Sequence, residues 1–136
     1  MTFPTHLIGR ILVSAAALAL LLDGALLATS APPIIAALGH AGFEPRLAPV
    51  IGLVILGAAL LLLIPRLAPL GAILCTGFLG GAICAHVRIG ELGSPPQIIC
   101  LVLGALIWGG LLLADSRVRC LMHGAATDRP GPIPLF

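Results

Sequence analysis

Asp23 sits deep in a long apolar stretch and His86 and Arg88 at the end of another, where a charge is expensive to hold. Even a lenient insertion scale sets about 3 kcal/mol against Asp at the centre of a membrane helix, so such a residue should face protein or a cavity rather than lipid. Together the carboxyl, imidazole and guanidinium would make a polar site able to handle a proton or an anionic head group. The plainer reading, favoured here because only Asp23 lies deep, is a buried ion pair that fixes helix register, with Arg88 anchored at the membrane surface. His86 and Arg88 are separated by about 200° on a helix, so they cannot both face one partner without the longer side chain bending back.

The other reactive residues form no recognisable site. Cys75, Cys84, Cys100 and Cys120 contain no Cys-x-x-Cys pair, and packing is the default role of the first three. Cys120, beside Arg117 and Arg119, has a juxtamembrane position compatible with acylation but nothing more specific. The histidines at 6, 40, 86 and 123 fall in four separate regions without ligand spacing, so no metal site is expected. No nucleophile-elbow, Walker or dinucleotide-binding pattern occurs in a usable context. A net charge of +2 gives no reason to expect nucleic acid.

The elements that must position these residues are apolar and long. Of the 136 residues, 60% are hydrophobic and 9% charged, too few polar side chains to clothe a water-soluble globule. Residues 7–29, 48–64, 67–87 and 98–114 each approach the length a helix needs to cross a bilayer core. They lack the strict alternation of a barrel strand, so the expected fold is all-α, a bundle of four transmembrane helices in one domain, residues 1–119. Pro32, Pro33 and the Gly39 to Pro45 segment bracket a short apolar run, Ile34 to Leu38, read as a brief interfacial helix. Pro65 and Pro69 enclose Arg66 in a tight hairpin between the second and third spans. Residues 120–136 read as a disordered cytoplasmic tail, Pro-rich from Asp128.

All seven basic residues are Arg. Arg10, Arg66, Arg117, Arg119 and Arg129 fall on one side of a four-span chain, and Arg46 and Arg88 on the other near Glu44 and Glu91. The positive-inside rule then makes both termini cytoplasmic. A cleavable signal peptide is the rival reading of the first stretch, disfavoured by its length and by Asp23 within it. Small residues mark where helices should touch: Gly77 and Gly81 form a G-x-x-x-G pair, and Ala16 and Ala19 share a stripe with Gly9 and Asp23. Either pattern serves within one chain or between copies, so a homo-oligomer stays open.

Leu22-Asp23-Gly24, the run VIGLVILGAALLLLIPR from Val50 to Arg66, and GFLGGAICAHVRIG from Gly77 to Gly90 resemble the DoxX-like family of small four-helix membrane proteins, over about Arg10 to Arg119. The resemblance implies a four-helix bundle. In the wider group it also implies, for some relatives, association with quinone-linked oxidoreductase complexes. Family members often carry a Lys shortly after the Asp-Gly pair and a Glu in the second helix. Here those positions hold Leu27 and Ile55, and losing both together is electrically consistent, since one alone would strand a charge.

The functional expectation is a multi-pass cell-membrane protein acting as a non-catalytic accessory subunit or small-molecule-binding module, with no cofactor required but a quinone or lipid as a plausible ligand. One rival is a component of a quinone-linked oxidoreductase, with His86 and Arg88 at the polar head of its substrate and a cavity along Cys75, Leu79, Ala82 and His86. Another is a small proton-coupled transporter dependent on Asp23. The lipid bilayer and a membrane or oxidoreductase subunit are the expected partners.

Overall fold

The structure, a computed structural model, describes residues 5–124. Its elements in chain order are α1 (Thr5–Ala28), α2 (Pro32–His40), a 3-10 turn (Pro45–Leu47), α3 (Ala48–Leu63), α4 (Ala68–Arg88), α5 (Pro95–Ala114) and α6 (Ser116–Gly124). No strand occurs among the described residues. Four segments, Thr5–Ala28, Pro45–Leu63, Ala68–Arg88 and Pro95–Ala114, are long and apolar enough to span a membrane. The second reaches that length only by counting the 3-10 turn that leads into α3. The interfacial helix expected at Ile34 to Leu38 is α2, a little longer at both ends. Residues 120 to 124, assigned from the sequence to the tail, belong to α6, and the Pro-rich end lies outside the described residues, as does Arg129.

Proline sets most of the helix starts. Pro32, Pro49, Pro69 and Pro95 occupy the first two positions of α2, α3, α4 and α5, where the missing N–H deletes no intrahelical bond and the fixed φ suits the helix. Leucine and isoleucine cover the outside: Leu18, Leu22, Leu53, Val54 and Leu101 are largely exposed, as suits side chains whose solvent is lipid. The centre is filled by smaller residues together with Leu20, Ile55, Ile107 and Cys75, all of them fully buried.

Glycine decides which helices meet. A Cβ on Gly24 would collide with Ile55 and one on Gly52 with the backbone of Ala28, so α1 and α3 touch there almost backbone to backbone. Toward the opposite end of α1, a Cβ on Gly9 would lie 2.5 Å from the Gly110 carbonyl oxygen of α5. Gly71 makes the same kind of contact with Leu62 across the α3–α4 hairpin, 2.7 Å from its backbone nitrogen. Helix α1 therefore packs on α3 and α5, α4 packs on the same two, and α1 and α4 lie on the diagonal of the bundle.

Candidate functional site

The chain passes four times between two ends. The basic end carries Arg10, Arg66, Arg117 and Arg119, and the other is the α2 end. Beneath α2 lies a cavity of about 390 Å³, bounded by α1, α2, α3 and α4. Asp23 and Leu27 contribute from α1, Ile34 and Leu38 from α2, Ile51 from α3, and Ala82 and His86 from α4. Helix α2 covers the cavity with one apolar face and buries none of its residues fully.

The polar residues around this cavity reach their places through backbone turns. Gly90, with φ of 83°, lets α4 end in a tight reversal in which the Glu91 N–H donates to the His86 carbonyl at 3.0 Å. That fold-back sets the Glu91 carboxylate beside the His86 ring. His86 Nδ1 donates to Glu91 Oε2 at 2.8 Å, and His40 Nε2, from the end of α2, donates to Oε1 at 2.7 Å. One carboxylate thus ties α2 to α4. The hydrogen bond from His40, followed by that from His86, holds the Glu91 carboxyl below its ordinary value.

Arg88 makes a second tie, donating from Nη2 to the Ala41 carbonyl at 2.9 Å. Gly42 is favoured there by its φ of 79°, and a Cβ would lie 2.6 Å from Arg88 Nη2, displacing the guanidinium from its place. Gln97, buried at the start of α5, accepts the Gly93 N–H at 2.6 Å and donates to the Ile83 carbonyl at 3.3 Å, fixing the α4–α5 loop against α4.

Of the three residues singled out from the sequence, Asp23 and His86 line the same cavity, while Arg88 is turned to α2. Asp23 pairs with neither of the others. The expected register-fixing ion pair is absent among the described residues, and Asp23, half-buried, makes no hydrogen bond or ion pair there. The reason is topological: α1 and α4 are diagonal, and the imidazole and guanidinium at the end of α4 are taken by Glu91 and Ala41.

Ala16 is fully buried in the core, whereas Ala19 is exposed. Gly77 and Gly81 are also exposed, and a Cβ on either would meet nothing within 4 Å, so neither makes a close helix contact inside the chain. Both line the cavity wall. The cavity anticipated along Cys75, Leu79, Ala82 and His86 contains the last two, while Cys75 and Leu79 are buried in the core. Sequence reasoning missed Glu91 and His40 as partners of His86. Their only signal was acidic and basic residues clustering in the two loops of one end.

A family model matches residues 11–110. The chain belongs to the DoxX-like family. The match takes in Asp23, the His86–Arg88 segment and Glu91, and with the four apolar helices it identifies an integral membrane protein. No curated protein and no solved structure matches the chain. Leu27 and Ile55, which stand where the DoxX-like resemblance implies a Lys and a Glu, are both buried, and Leu27 faces the cavity.

Among the described residues no group of His, Cys, Asp and Glu could hold a metal ion, and the four cysteines are free.

Proposed function

We propose that this DoxX-like chain is a non-catalytic binding module of the cell membrane, whose α2-end cavity takes an apolar small molecule with a polar head, of which a quinone is the model. The observation that carries this reading is Asp23: an intramembrane carboxyl without a protein partner among the described residues, on the wall of an otherwise apolar cavity whose rim holds His86. The volume, about 390 Å³, lies in the ordinary range for small-molecule sites. A quinone carbonyl would accept from a protonated Asp23 or an imidazole N–H while its ring and tail lay against leucine, isoleucine and alanine. By the positive-inside rule the basic end and both termini are cytoplasmic, which impermeant thiol labelling at Cys120 tests directly. A membrane oxidoreductase subunit is the partner that such a module would serve.

Native mass spectrometry of the protein extracted in mild detergent tests the reading. A retained quinone lost in both Asp23→Asn and His86→Ala is the expected result. Retention unaffected by both substitutions, or a stoichiometric protein partner with no small ligand, would remove it.

The lack of a partner for Asp23 also favours a second reading, a small proton-coupled transporter. Proton flux through proteoliposomes that stops in Asp23→Asn would support it, and unchanged flux would exclude it.

A further inference from the structure

At the basic end a second cavity, about 290 Å³, opens between α1, the α3–α4 turn and the α5–α6 corner. Arg10, Arg66 and Arg117 line it, from elements far apart in the sequence, over a floor that includes Val13 and Leu62. A single carboxylate, that of Asp115, lines it too, and its Oδ1 accepts the backbone N–H of Arg117 at 2.8 Å. Among the described residues none of the three guanidiniums has an ion pair or side-chain hydrogen bond, whereas at the α2 end Arg46 is matched by Glu44 and Arg88 by the Ala41 carbonyl. Three guanidiniums around one concavity, against a single carboxylate already engaged by a backbone N–H, form a receptor for an anion.

We propose that this cavity binds a phosphate group, presented by an anionic lipid whose acyl chains lie along the apolar floor. Arg10 stands in the second turn of α1 and Arg66 in the hairpin turn, both at the ends of spans, the depth at which phospholipid phosphates lie. Guanidinium groups bind phosphate in two-pronged fashion, and an apolar floor beneath them distinguishes an amphiphile from a free ion. Arg10 and Arg117 lie outside the family match of 11–110, while Arg66 and the apolar floor lie within it. It is separate from the Asp23–His86 cavity and does not depend on that cavity's ligand.

The test is native mass spectrometry of the full chain in detergent with added phosphatidylglycerol, phosphatidylcholine or inorganic phosphate. Phosphatidylglycerol should be retained in preference to phosphatidylcholine, and its affinity should fall by about fivefold for each guanidinium removed in Arg10→Gln, Arg66→Gln and Arg117→Gln. Arg46→Gln at the other end should change nothing. Should the triple variant lose its helical circular dichroism, Arg66→Gln alone, in an exposed turn, gives the same reading. Inorganic phosphate that displaces the lipid with the same arginine dependence would keep the anion site and assign it to a soluble phosphate. Retention indifferent to these arginines, or weakened equally by Arg46→Gln, would overturn the proposal.

Discussion

At the α2 end, every cation that borders the structure has been given a partner: Glu91 accepts from two imidazoles, Arg88 reaches a carbonyl and Arg46 meets Glu44. Asp23, by contrast, is an acid with no partner among the described residues, facing a largely apolar cavity. The basic end inverts this arrangement, with the one acid at its cavity engaged by backbone and three guanidiniums left facing the space. The glycine contacts follow the same division. Helix α1 meets α3 at Gly24 and Gly52 near the α2 end, and α5 at Gly9 and Gly110 near the basic end. The lesson is that a small membrane bundle with narrow helix contacts at alternate ends can carry two sites of opposite polarity.

Substituting at those contacts should break the comparison most strongly. Gly52→Val would drive a Cβ into the Ala28 backbone, which cannot yield as a side chain can, so a loss of about 3 kcal/mol or outright misfolding is expected in thermal melts. Gly81→Ala, on the open wall of α4, should be neutral or stabilising by about 0.5 kcal/mol. A strongly destabilised Gly81→Ala, or one that dissociates a dimer, would show that this face packs against a second copy instead.

Gln97→Ala comes next. It removes the acceptor of the Gly93 N–H, in an exposed loop, and the donor to the Ile83 carbonyl, and about 1 kcal/mol should be lost, with hydrogen exchange rising first in the α4–α5 loop. Thr76→Val removes the acceptor of the Trp108 indole N–H, 2.9 Å away between α4 and α5. The expected penalty is about 0.6 kcal/mol, typical of hydrogen bonds between membrane helices, and ligand retention at both cavities should be unchanged.

The smallest effect should come from Glu91. Its folded carboxyl titrates below the ordinary value, so the stability it contributes is fully present above the ordinary carboxylate range and is lost as pH falls through the lowered folded value. Stability of Glu91→Gln should therefore match that of the natural chain in acid and fall below it as pH rises toward neutrality. Parallel curves at every pH would mean that the two imidazole contacts do not favour the carboxylate.

Much of the bundle was legible in the residues because its determinants are local. Apolar length marked all four spans, since hydropathy acts on the segment that contains it, whereas α5 begins at Pro95, three residues before the span read from the sequence. Asp23 and His86 were likewise visible as polar groups in apolar surroundings. The use of each glycine was not legible. Gly77 and Gly81 carry the familiar spacing yet stand open, while Gly24 and Gly52, with no such pattern between them, bring two helix backbones together.

Membrane residence and the number of spanning helices were thus settled by the sequence, because each follows from the transfer of one segment into lipid. Only the tertiary structure decided that α1 and α4 are diagonal, that His86 turns to Glu91 rather than to Asp23, and that three arginines surround one cavity. Lipid gives no hydrophobic preference among apolar helix faces, so neighbours are chosen by backbone fit between segments far apart in the chain, and that fit exists only once the bundle is assembled.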